Sequence, residues 1–138
     1  MARDIVLDTG VIVGLHRGRL QPADAYQPDD QLAISVVTAT ELLVGPELAA
    51  SHLAAQLRHA AEASLNSLYV LDYDLRVARV HALLIAHARR AGEPRGAFDL
   101  AIAATAVAHR RVLVTTDARA SFADLPGLDV KVVGRQSS

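Results

Sequence analysis

At 138 residues and 14.7 kDa the chain has the length of one domain, because two independent cores would each fall below the usual lower range. Half of its residues (51%) are hydrophobic and 21% are charged, which excludes intrinsic disorder and predicts a packed core. The lack of cysteine excludes disulfide scaffolds, thiolate metal sites and cysteine nucleophiles, and a formal net charge of −1 speaks against a protein that relies on a large basic surface. An aromatic content of 4%, with no tryptophan, speaks against a base-stacking platform. Acidic residues stand where a secretory signal would be apolar, and no apolar run approaches the roughly 20 residues of a membrane span. A soluble cytoplasmic protein with no membrane partner is therefore expected.

Asp4 to Asp8 reads as a buried strand of a parallel sheet with Asp8 at its carboxyl end. A helix can begin at Val11 and run to His16. Arg17 to Asp30, with Gly18, Pro22 and Pro28, has loop composition. Leu32 to Ser35 is a second strand, after which Ser35 or Thr38 can cap a helix over Ala39 to Val44 that Gly45-Pro46 should interrupt. From Glu47 to Leu68 the residues Leu48, Leu53, Leu57, Ala61 and Leu65 recur at helical spacing. Tyr69 to Leu71 is a third strand, and Asp72 or Asp74 caps a long helix to Ala91 that Gly92 and Pro94 close. Phe98 to His109 is apolar on nearly every face and belongs in the interior, while Val112 to Thr115 and Val130 to Val133 are two further strands. Strands separated by helices predict an α/β fold, a central mostly parallel sheet flanked by helices on both faces. The whole chain, 1–138, forms one domain with its core at about 4–133, and the last residues, 134–138, read as a frayed tail.

In such folds ligands sit outside the carboxyl ends of the strands, and acids fall there. Asp8 ends the first strand, Glu41 follows the second, Asp99 opens the apolar helix and Asp117 follows the fourth strand. They are 33, 58 and 18 positions apart, too far for local ion pairs, so only the fold can bring them together. Glu41 lies between Thr40 and Leu42, next to Ala39, and Asp99 between Phe98 and Leu100; a carboxylate buried in such company needs compensation. Two carboxylates about 5 Å apart at an effective dielectric near 20 repel by about 3 kcal/mol, which raises their pKa values. A divalent cation removes that cost, and oxygen ligands without sulfur favour magnesium or manganese over zinc. Such a site activates water and stabilises the leaving oxygen in phosphodiester hydrolysis. The plainer reading of a single acid at a helix start is an N-cap, so the case for Asp99 or Asp117 rests on the set of four.

Asp8-Thr9-Gly10, Thr40-Glu41-Leu42, the run from Phe98 to Ala106 and Val114-Thr115-Thr116-Asp117 resemble the motifs of the PIN-domain ribonucleases, specifically the VapC-type toxins. The likeness runs from Ile5 to Val133, and the stretch around Asp99 is its most specific piece. The resemblance implies an α/β/α domain whose clustered acids bind Mg2+, with Mn2+ as a substitute, and cut RNA to leave a 3′ hydroxyl and a 5′ phosphate. Transfer RNA is a frequent target in the family. Residue by residue, Asp8, Glu41, Asp99 and Asp117 match its catalytic and metal-binding acids. Thr9 and Thr115 match supporting hydroxyls, and Arg95 stands where a basic residue contacts substrate or antitoxin. The resemblance also implies a homodimer and a VapB-type antitoxin that blocks the acidic groove, and the leucine and valine surfaces between Pro46 and Leu68 suit partner helices.

Two departures stand out. Gly10 replaces the small polar residue common after Asp-Thr, removing a hydroxyl, and the segment Asp117 to Phe122 lacks an acid just before Phe122, with Asp124 too far along to substitute. With the four acids set aside, 11 of the 15 acidic groups remain against 14 basic ones, a surplus compatible with phosphate contacts. Arg17, Arg19, Arg89, Arg90 and Arg95 flank loops or helix ends that RNA could reach.

Other classes fit less well. A haloacid-dehalogenase-type phosphatase needs a second acid where Gly10 stands and a well-placed late lysine, and Lys131 is not one; a response-regulator receiver needs an acid pair, which Asp29-Asp30 supplies only in a loop. A non-catalytic PIN-like module that binds RNA or protein is the remaining alternative, and the presence of all four acids argues against it. The six histidines show no metal-binding spacing, and neither a glycine-rich phosphate loop nor a serine nucleophile elbow is present.

Overall fold

The structure, a computed structural model, describes residues 2–93, 95–117 and 125–134. The expectations about Pro94, the acid-free segment before Phe122, Asp124 and the tail from Arg135 lie outside these residues. Five parallel strands, β1 (Asp4–Leu7), β2 (Gln31–Ser35), β3 (Tyr69–Leu71), β4 (Val112–Thr115) and β5 (Val130–Val132), form one sheet in the order β3-β2-β1-β4-β5. The sheet is wholly parallel, which sharpens the expectation of a mostly parallel one. From β1 the chain builds outward to β2 and β3, then returns to lay β4 on the other side of β1. The carboxyl ends of β1 and β4 therefore flank the point where strand order reverses, where crevices open in such sheets.

Successive residues of the central strands feed two cores. Ile5, Leu7, Ile34 and Val114 pack on one face with Val11 and Ile12 of α1 (Thr9–His16), Ala39 and Leu42 of α3 (Val36–Leu48) and Ala61 of α4 (Ser51–Ser67). Val6, Ala33 and Leu113 pack on the other face with Val77, Leu84 and Ala88 of α5 (Leu75–Arg90) and the buried face of α6 (Ala97–Ala108). Side chains that alternate between two covered faces explain why these strands read as continuous aliphatic runs.

Several boundaries differ from expectation, most of them by one to four residues. Asp8 is not the last residue of β1: it is the N-cap of α1, its Oδ1 accepting from Thr9 N, so the helix starts at Thr9 rather than Val11. The loop before β2 contains the short helix α2 (Pro22–Ala25), with proline at its first position. Gly45-Pro46 does not interrupt α3, which Ser35 caps and which runs to Leu48. Pro46 falls in the last turn, where only Leu42 O loses a partner, and its ring is buried. The chain breaks instead at Ala49 and Ala50, both extended, and the Arg58–Glu47 ion pair of 2.8 Å ties α4 back to α3. Asp74 rather than Asp72 caps α5. Among the described residues, no helix is long and apolar enough to cross a membrane.

Candidate functional site

Each of the four acids reaches the carboxyl edge of the sheet by its own local route. The turn out of β1 sets Asp8 over the start of α1, and the side chain is buried at 9% exposure. Its two oxygens divide their work: Oδ1 accepts from Thr9 N at 2.8 Å and Oδ2 from the Thr115 hydroxyl at 2.7 Å. Thr115 Oγ1 in turn accepts from Asp117 N at 3.1 Å, so the end of β4 is tied to the end of β1 through one hydroxyl. Thr115 is fully buried, and Asp117, two residues on, is exposed.

Glu41 lies in the second turn of α3, half-buried, and its Oε1 accepts from the Thr9 hydroxyl. The same Thr9 hydroxyl is hydrogen-bonded to Thr38 Oγ1 at 3.2 Å. Thr38 is a fully buried residue that sequence reasoning considered only as a cap. Its signal was its spacing, one helical turn before Glu41 on the same face. Asp99 lies in the first turn of α6, whose N-cap Gly96 offers no side-chain bond. Arg95 precedes it with a side chain only 12% exposed and Glu93 at 3.7 Å.

The electrostatics show that the acids share one neighbourhood. Burial pushes the Asp99 carboxyl above its ordinary range, and the charges of Asp8, Glu41 and Asp117 push it further, while Arg95 pulls the other way. Burial likewise raises Asp8, opposed by its bonds from Thr115 and Thr9 and aided by the charge of Asp117. Asp8, Glu41 and Asp117 thus stand near enough to Asp99 for their charges to act on it, and so does Arg95. Among the described residues, no three His, Cys, Asp or Glu side chains are already gathered around one point at ligand distance. The donor set is nonetheless all oxygen, supported by hydroxyls and left with uncompensated repulsion, which suits a hard divalent cation.

A groove of about 320 Å3 opens beside Glu41, lined by Val13, His16, Arg17, Leu42 and Leu57 of α1, α3 and α4 among others. Leu48, Leu53 and Leu57 are exposed on the same pair of helices, at 82%, 45% and 44%. The histidines play local parts, as in the 2.7 Å bond of His16 Nε2 to Ser64 Oγ and that of His81 Nδ1 to the Tyr73 hydroxyl.

Residues 5–128 match the PIN domain family model. A ribonuclease VapC5 of Mycobacterium tuberculosis is 36% identical over 122 residues, covering 88% of this chain and 87% of that protein. A ribonuclease VapC of Rickettsia bellii is 28% identical over 130 residues, covering 94% and 96%. The fold superposes on the crystal structure of VapBC-5 from Mycobacterium tuberculosis, a member of the VapBC family of toxin-antitoxin systems, with a TM-score of 0.75 at 32% identity, covering 95% of this chain and 98% of that one. With most of its length matched in sequence and fold, the chain belongs to the PIN-domain family and, within it, to the VapC group.

Proposed function

We propose that this chain is a metal-dependent endoribonuclease, the toxin of a VapBC-type pair, and that Asp8, Glu41, Asp99 and Asp117 are its metal-holding and catalytic acids. The observation that supports the reading most is the carboxyl of Asp99, raised first by burial and then by the charges of Asp8, Glu41 and Asp117 from three other parts of the chain. A purely structural acid acquires a full complement of cation or N–H donors, whereas around this group Arg95 offsets the charges of three acids only in part. The names of the relatives, ribonucleases VapC and VapC5, point the same way.

Mg2+, or Mn2+ in its place, would be held by the four acids, supplying Lewis-acid stabilisation of the phosphoryl oxygens and a more acidic water. The chain's own residues do the rest. Thr115 holds Asp8 in one rotamer and Thr9 does the same for Glu41, which leaves Glu41 Oε2 and the second lone pairs of the Asp8 oxygens for a cation. Arg95 sets a positive charge beside Asp99, where an RNA phosphate approaching the acids would otherwise meet only negative groups. Transfer RNA is the substrate class to try first.

The antitoxin seat we propose is the groove beside Glu41 with the exposed leucines of α3 and α4, where a partner helix would bury apolar surface and cover the acids. A homodimer is part of the same reading. The test is incubation of total and transfer RNA with purified protein in Mg2+, Mn2+ or EDTA, comparing wild type with Asp8→Ala. Metal-dependent cutting lost in the variant is expected; no cutting in any metal would favour a module that only binds RNA or protein.

A further inference from the structure

The glycine after Asp8-Thr9 needs an explanation that backbone conformation does not supply. Gly10 lies in the first turn of α1 and is not among the glycines with positive φ, so its φ suits any residue. What it cannot accept is a side chain: a Cβ there would stand 2.6 Å from Thr116 Oγ1, closer than real Cβ contacts come. The space that a side chain at position 10 would fill is thus taken by the hydroxyl of Thr116, the residue just after β4. That hydroxyl belongs to the residue between Thr115, which bonds Asp8, and Asp117. The Thr9 and Thr115 hydroxyls are committed to Glu41 and Asp8, whereas Thr116 Oγ1 makes no hydrogen bond among the described residues. Thr116 is only half-buried and Gly10 is exposed, so the hydroxyl is within reach of a ligand.

We propose that Thr116 is the positioning hydroxyl of this nuclease, supplied across the crevice in place of the side chain absent at Gly10 and donating to a phosphate oxygen of bound RNA. The inference rests on the ribonuclease reading and adds to it a residue that carries no charge. It also makes positions 10 and 116 interdependent: the pair tolerates one side chain in the shared space, and either chain segment can provide it.

The test compares RNA cleavage and Tm for Thr116→Val, Thr116→Ser, Thr116→Ala, Gly10→Ser and Gly10→Ser/Thr116→Ala. Loss of one hydrogen bond to a charged phosphate corresponds to about a tenfold or greater drop in kcat/KM, expected for Thr116→Val at unchanged Tm. Thr116→Ser should cut within about twofold of wild type. Gly10→Ser alone should be impaired by the clash. The double variant should recover severalfold over Thr116→Ala, because the hydroxyl returns from α1 into space the threonine has vacated. Wild-type rates in Thr116→Val, or a double variant no better than Thr116→Ala, overturn the assignment. Should Thr116→Val fail to fold, the comparison of Thr116→Ala with the double variant decides alone. A wild-type chain that cuts no RNA overturns the ribonuclease reading itself, a different failure from cutting that ignores Thr116.

Discussion

Asp8 and Asp30 are equally buried, at 9% exposure, and stand at opposite edges of neighbouring strands, one after β1 and the other before β2. Asp30 is fully provided for. Arg3 reaches it with a guanidinium nitrogen at 3.0 Å and its backbone N at 3.1 Å, and Gln27 N adds a third bond at 2.8 Å. The Arg3 side chain and these N–H groups pull its pKa down to about 2. Asp8 has two donors but no cation, and burial together with Asp117 pushes it up. The same residue type with the same fractional exposure closes the amino edge of the sheet in one case and leaves the carboxyl edge electrostatically unfinished in the other. An unfinished edge is what a divalent ion and a phosphate require.

The comparison can be broken most sharply at Asp99. Asp99→Asn removes a charge without changing size and should lower RNA cleavage by more than about a hundredfold while leaving the fold intact. The same change should raise Tm in metal-free buffer by a few degrees, because it relieves like-charge repulsion; a fall in Tm would mean the acid has a structural partner. Arg3→Met should do the reverse, lowering Tm by a few degrees and leaving cleavage unaltered, as a thermal melt beside an RNA assay would show. Mn2+ should raise the Tm of the wild type and not that of Asp99→Asn.

The pH dependence separates the two edges by sign. Asp30 titrates lower in the fold than in the unfolded chain, so its stabilisation is complete above about pH 4 and disappears as pH falls toward about 2. Asp8 and Asp99 titrate higher in the fold, so their ionisation costs stability as pH rises from about 4 through their raised values. Metal-free protein should therefore gain Tm on mild acidification and lose it in strong acid. Asp99→Asn should flatten the first limb only. The smallest effect expected is for Arg95→Gln, a severalfold rise in KM for RNA, since its charge is partly shared with Glu93.

Much of this organisation was legible in the sequence because it rests on short-range rules. The sequence marks Tyr69 to Leu71 and Val112 to Thr115 with their observed bounds and offers Asp74 as one of two caps for α5, since aliphatic runs and capping acids are local signals. Pro46 misled because the cost of proline depends on how much helix follows it, and only two residues do. Asp30 was read as part of a loop pair, with nothing to mark its bond to Arg3 across 27 positions. That Asp8, Glu41 and Asp117 stand close enough to act on Asp99 could be expected from strand ends and the family resemblance. Thr38 is marked in the sequence only by its one-turn spacing from Glu41, and the close approach of Thr116 to Gly10 by nothing local, since both are set by how α1, α3 and β4 pack.

The most direct test of the central claim is cleavage of a single transfer RNA by wild type and Asp99→Asn, both shown folded by circular dichroism, in Mg2+ and in EDTA. Cutting is expected only by wild type and only with metal. Equal cutting by Asp99→Asn, or cutting by wild type that persists in EDTA, would contradict it.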